Sequence, residues 1–197
     1  MEVKEIIINI AYLIAAICFM YGLKMLSHPK TARNGNFISS FGMLIAIVST
    51  LVIGTEMNWM LIAIGLIIGS IIGAFFAIKV QMTQMPQLVA IFNGFGGGAS
   101  ALVASSEFLK SYGSEMTVVL LVSIVLSVLV GTLTFTGSFI AFGKLQGLVT
   151  TKPVTFPGQQ LLNALLAIVM VGAAYMIPTY GINSFYLIVA LSALLGI

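Results

Sequence analysis

Apolar residues in this chain come in long unbroken runs, and the polar and charged residues fall in the breaks between them. Seven runs stand out, at about 5–26, 37–55, 57–79, 86–106, 116–143, 159–177 and 181–197. A helix needs roughly 20 such residues to cross a hydrocarbon core of about 30 Å. In lipid only helices and closed barrels satisfy their backbone groups, and barrel strands alternate apolar with polar positions, which these runs do not. The pattern predicts an all-α, polytopic transmembrane helical bundle of about seven spans. The runs fill residues 1–197, so the chain reads as one membrane domain with no soluble nucleotide-binding domain.

Composition supports that class, with 60% apolar and 7% charged residues against roughly 25% charged in a soluble domain. The first run is too long for a secretory signal, follows Glu2 and Glu5, and leads into Tyr21-Gly22-Leu23-Lys24 without a small-residue cleavage pattern. The single cysteine, Cys18, has no disulfide partner and reads as packing.

Lys24, Lys30, Arg33, Lys79, Lys144 and Lys152 share one side of a seven-span zigzag, whereas Lys4 and Lys110 are alone on the other. Lys and Arg concentrate on the cytoplasmic side, so the N-terminus is expected outside. The five acids, Glu2, Glu5, Glu56, Glu107 and Glu115, fall on that outer side. The net charge of +3 therefore reports orientation and lipid contact, not nucleic acid. The last run is still apolar at Ile197, so the natural protein is expected to be longer than this chain.

Gly65, Gly69 and Gly73 recur every four residues in the third span, a face expected to pack against another helix. Thr132, Thr134, Thr136 and Ser138 gather in the fifth span, where hydroxyls either bond their own backbone or line a pathway. In Asn93-Gly94-Phe95-Gly96-Gly97-Gly98-Ala99-Ser100, residues Gly94, Gly96 and Ala99 meet the spacing of a dinucleotide fingerprint. That motif works only between a strand and an exposed helix start, and here it lies inside a span. Gly94 and Gly97 instead suit close helix packing, local unwinding or a water-filled gap. Asn93 is the one amide of this span beyond Gln87 at its start, and reads either as part of a polar pathway or as an interhelical hydrogen bond. His28 is the only histidine, but Ser27-His28-Pro29-Lys30 is a turn, and a solvated loop residue is the simpler reading. It has no companion ligands for a metal.

Three stretches carry a family resemblance: Thr31-Ala32-Arg33-Asn34-Gly35-Asn36; Gln84-Met85-Pro86-Gln87-Leu88-Val89-Ala90; and Thr134-Phe135-Thr136-Gly137-Ser138-Phe139-Ile140-Ala141-Phe142-Gly143-Lys144-Leu145-Gln146-Gly147. Together with Pro157-Gly158-Gln159-Gln160-Leu161-Leu162-Asn163-Ala164, they resemble the beta subunit of proton-translocating NAD(P) transhydrogenase. The resemblance covers nearly the whole chain. It implies part of a membrane domain that couples hydride transfer between NAD(H) and NADP(H) to proton passage across the plasma (inner) membrane. It also implies further spans and a C-terminal NADP(H)-binding domain in the same subunit, an alpha subunit with the NAD(H)-binding domain and additional helices, and a dimer of such protomers. Neither nucleotide is expected to bind this chain itself. Asn93, Thr132, Thr136 and Ser138 become candidates for the proton pathway, and Arg33, Lys144 and Gln146 for coupling to the soluble domain.

The chain departs from the family at one position. Many members have histidine then serine where Asn93-Gly94 stands here, and that histidine is the proposed protonatable group. An asparagine amide does not titrate in the physiological range. A relay would then need a partner helix, further spans or a water chain. Two other classes fit the composition: a small-solute permease or channel without redox coupling, and a structural subunit that only packs against catalytic partners.

Overall fold

The computed structural model describes residues 3–54, 58–114, 116–152 and 155–197, apart from the side chain of Thr179, so Glu2, Glu56 and Glu115 lie outside the described residues. Among the described residues all regular structure is helical: α1 (Val3–Leu26), α2 (Ala32–Ile53), α3 (Trp59–Lys79), α4 (Met85–Ser111), α5 (Val118–Leu145), α6 (Gln159–Tyr175), α7 (Ile177–Tyr180) and α8 (Ile182–Leu195). A single 3-10 turn, Met82–Gln84, leads into α4. Five helices are long and apolar enough to cross a membrane, so the chain is an all-α membrane protein.

The sixth and seventh runs fold as shorter helices, α6 with 17 residues and α8 with 14. At a rise of 1.5 Å per residue these reach about 26 and 21 Å. The interruption has a local cause. Pro178 has no N–H to continue a helical ladder, and Gly181 takes φ +54 to turn the chain from α7 into α8. A side chain at Gly181 would also collide with the Tyr112 ring.

The helix starts follow from their caps. Thr117 Oγ1 accepts the Leu120 N–H at 3.3 Å and opens α5, Asn58 Oδ1 accepts the Leu61 N–H at 3.2 Å ahead of α3, and Pro86 sits in the first turn of α4, where its missing N–H is not required.

The chain forms two compact units, Met1–Ile71 and Ile72–Ile197. In the first, α1 and α2 pack as an antiparallel hairpin whose buried residues are Ile8, Ala15 and Gly22 on one helix and Gly35, Gly42 and Ser49 on the other. Both sets recur every seven residues, the period that keeps one seam facing a partner helix. The hairpin turn is tied by Thr31 Oγ1 donating to Met25 O at 2.7 Å, and exposed His28 lies in this turn.

In the second unit α4 and α5 form another antiparallel pair, α8 packs on α5, and α6 and α7 pack on α8. Its apolar core joins Ala104 and Phe108 of α4, Ile124 and Val128 of α5, and Ala173, Ile177, Phe185 and Ile188 of the C-terminal helices. Phe108 and Phe185 stack with ring centroids 4.1 Å apart and planes within 6°. Phe108, Val128 and Ile188 are 0% exposed.

Helix α3 has no buried residue. A methyl group added at Gly65, Gly69 or Gly73 would meet nothing within 4 Å, so the expected neighbour on this face is not supplied by the described residues. Glycines every four residues allow close approach but do not compel it.

Candidate functional site

The site grows out of the α4/α5 seam. On α4, Gly94, Gly97, Ala104 and Phe108 are buried along the line that Ala101 shares; on α5 the matching line is Ile124, Val128, Gly131 and Ser138. Steps of three and four residues keep each line on one face. Midway the two backbones touch. A Cβ at Gly97 would lie 2.7 Å from Gly131 O, and a Cβ at Gly131 would lie 2.6 Å from Gly97 O. No side chain fits at either position without moving a helix.

That approach brings polar residues within reach, Asn93 one turn from Gly97 and Ser138 two turns from Gly131. Asn93 Nδ2 donates to Ser138 Oγ at 2.8 Å, and Ser138 is 8% exposed. A Cβ at Gly94 would lie 3.2 Å from both Ser138 and the Phe139 ring, so this small residue leaves room for the pair. Phe139 packs edge-on to Phe95, with centroids 5.6 Å apart, and against Phe135 at 4.8 Å, while Asn93 itself is exposed at the edge of the seam.

The two hydroxyl types on α5 behave differently. Ser40, Thr50 and Ser105 on other helices, and Ser123 near the start of α5, each donate to a backbone carbonyl four residues back, the usual fate of a hydroxyl inside a helix. Thr136 does the same, sharing its hydrogen between Thr132 O at 3.2 Å and Leu133 O at 3.3 Å. Ser138 makes no such bond; it accepts from Asn93, and its own O–H has no acceptor among the described residues. A serine accepts and donates at the same oxygen, so its O–H keeps its capacity to donate.

The four hydroxyls that cluster in sequence separate in space. Successive residues turn by about 100° around a helix, so residues two apart point nearly opposite ways. Thr134 and Ser138 face α4, where Thr134 lies against Gly97. Thr136 faces α8, with its Oγ1 against Gly196, and Thr132 lies one turn before it. Of the four pathway candidates, the structure joins Asn93 to Ser138 and puts Thr132 and Thr136 on another surface of α5. The α4 backbone stays helical through Gly94, Gly96, Gly97 and Gly98, with Gly94, Gly97 and Gly98 against α5 and Gly96 open.

The coupling candidates occupy helix ends. Lys144 is half-buried in the last turn of α5 and Gln146 is exposed just beyond it. A cation there complements the negative end of the helix dipole. The helix closes tightly: Leu148 N–H donates to Gly143 O at 2.9 Å, and Gly147 adopts φ +73. Arg33, in the first unit, is exposed in the first turn of α2, where a cation opposes the dipole. Local helix energetics therefore account for Lys144 and not for Arg33. Among the described residues no cluster of His, Cys, Asp or Glu could hold a metal ion.

Two residues of this region escaped the sequence reading. Gly131, the partner of Gly97, was detectable as the small residue seven before Ser138. Gln87 donates through Nε2 to Leu145 O at 3.0 Å, a contact 58 residues away in sequence.

The family described as NAD(P) transhydrogenase beta subunit matches residues 8–197. Two curated relatives from Rhodospirillum rubrum, one assigned to a specified strain and both named NAD(P) transhydrogenase subunit beta, are each 44% identical over 155 residues, covering 76% of this chain and 33% of the relative. The chain thus spans about a third of the length of the curated relatives it matches.

Proposed function

The chain belongs to the NAD(P) transhydrogenase beta subunit family, and from that premise we propose that it is part of the membrane domain through which the complex couples hydride transfer between NAD(H) and NADP(H) to proton translocation. The observation that carries this reading is the Asn93–Ser138 hydrogen bond between two apolar helices. Polar groups at membrane depth usually face a bundle interior or an aqueous path. Asn93 does not titrate, so its role is to hold and orient Ser138, whose hydroxyl passes a proton by accepting on one side and donating on the other. The charge itself comes from water or from a titratable group on another span.

In the same proposal the nucleotides bind outside residues 1–197, NADP(H) on a C-terminal domain of the beta subunit and NAD(H) on an alpha subunit. Alpha-subunit helices and further beta spans pack against this chain, with Gly65, Gly69 and Gly73 as one packing face, and the protomers pair as a dimer in the inner membrane. Arg33, Lys144 and Gln146 face the soluble domain. Coupling over such a distance requires a contact that differs between two states of that domain, and the proposal assigns it to Lys144, in the last turn of α5.

The test is proton movement driven by hydride transfer in vesicles carrying the complete complex. Asn93→Leu is expected to lower the coupled rate at least tenfold at unchanged assembly, and Asn93→His to retain activity. Full coupling in Asn93→Leu would remove the pair from the pathway.

A further inference from the structure

One flank of the α4/α5 seam carries a groove of about 460 Å³, lined by Ala99, Ser100, Ala104 and Glu107 of α4 and by Ser123 and Ser127 of α5, with larger apolar residues between them. The walls are low. Gly96, Ser100 and Ala104 recur every four residues on α4, as Ser123 and Ser127 do on α5, and a Cβ at Gly96 would meet nothing within 4 Å. Small residues at that interval let the backbone of another helix come close.

The polar groups of this groove are unspent. Ser123 donates to Val119 O at 2.8 Å, but Ser100 and Ser127 make no side-chain hydrogen bond among the described residues. Glu107 is exposed one turn before the end of α4, where a carboxylate opposes the negative end of the helix dipole, and no Lys, Arg or His lines the groove. Polar groups at membrane depth seldom face lipid. The opposite side of α5 is different: the groove that Val122, Leu126 and Leu129 form there with Met170 and Val171 of α6 has no charged residue and no serine in its lining, and suits lipid.

Glu107, Ser100 and Asn93 are spaced seven residues apart, close to two helical turns, so they follow one stripe of α4. A helix laid along that stripe would also cover the exposed Asn93 amide. We propose that the groove seats a further transmembrane helix of the complex, one that brings small residues to Ser100 and Ser127 and a lysine or arginine to Glu107. The proposal rests on the reading of this chain as part of a larger membrane domain.

The experiment uses the complete complex in its membrane. Glu107→Gln is expected to lower the yield of assembled complex about fivefold, and Glu107→Lys more, because the partner charge is left buried and alone. Lys110→Gln, outside the groove, is expected to leave the yield unchanged. Changing the lysines and arginines at the helix ends of the other spans to glutamate, one at a time, is expected to restore assembly of Glu107→Lys at one position. Full assembly of Glu107→Lys, or restoration at no position, overturns the ion pair.

A nitroxide at Ser127→Cys reports what fills the groove, with its signal read above that of the unsubstituted complex. Low access to both oxygen and a water-soluble nickel complex is expected. Oxygen access as high as that of a spin-labelled lipid in the same membrane would give the groove to lipid, and access to nickel would give it to water. Dipolar broadening between two such labels would give it to a second copy of the chain, and each of these three results overturns the proposal. Failure of the unsubstituted chain to assemble with any other span would instead sink the larger-domain reading.

Discussion

The α1/α2 and α4/α5 hairpins solve the same packing problem and then diverge. Each is closed by a reciprocal glycine pair. A Cβ at Gly22 would lie 2.8 Å from Gly35 O and one at Gly35 would lie 2.7 Å from Gly22 O, the same relation that Gly97 has with Gly131. Each presents small residues at seven-residue intervals. In α1/α2 the glycines meet beside the connecting turn, and nearby Ser39 Oγ is buried without a partner. In α4/α5 they meet mid-helix, and the neighbouring serine is paired to an asparagine. Close approach is therefore a general device of this chain: the first hairpin pairs Tyr12 with Thr50 at 2.9 Å at an exposed position, whereas the second pairs Asn93 with the buried Ser138.

The largest test of that comparison is Gly131→Ala. Its added methyl meets backbone on α4 at 2.6 and 2.8 Å, which side-chain adjustment cannot relieve. A loss of about 3 kcal/mol is expected, at the upper end for overpacking, in reversible detergent unfolding. Gly35→Ala should behave alike, and tolerance of either would show that the seams are not equivalent.

Lys144→Ala addresses function alone. It is expected to lower coupled turnover severalfold while leaving insertion, topology and hydride exchange in the isolated soluble domains unchanged. Full coupled turnover would reduce Lys144 to a membrane anchor.

A finer test sets the two serines against each other. Ser138→Ala strips the Asn93 amide of its partner and should destabilise by about 1 kcal/mol, within the range of interhelical hydrogen bonds, while impairing coupling. Ser39→Ala removes an oxygen that bonds nothing, so stability should hold or rise slightly and coupling should not change. Equal effects from both would erase the distinction between the hairpins.

The smallest effect is expected at α3. Gly69→Ala has open space around it and a better helix former in place, so the isolated chain should gain up to about 1 kcal/mol in the same unfolding measurement. The yield of assembled complex should fall if this face packs on another span.

The fold class was legible because unbroken apolar runs permit only helices in lipid. The break between the last two helices was visible too, in Pro178 and Gly181. Small residues at 94, 97, 101 and 104, and at 131 and 138, carried the seam in plain view. How the four hydroxyls of α5 divide between two surfaces was not apparent from their clustering in sequence, which hides the half-turn between neighbours two apart. Gln87 was beyond reach: its meaning depends on the carbonyl of Leu145, and no local pattern announces a partner on another helix.

The hydroxyl of Ser138 has a consequence for rates. Thr136 must break a bond to its own helix in order to turn, whereas Ser138 can swing its hydrogen without surrendering one. Unhindered side-chain rotation takes picoseconds to nanoseconds, whereas enzymes commonly turn over 1–10³ times per second. In the proposed pathway a hydroxyl turning at that rate is at least six orders of magnitude faster than the catalytic cycle, so the proposal assigns the slow event to the arrival of charge or the movement of a domain, and not to the serine.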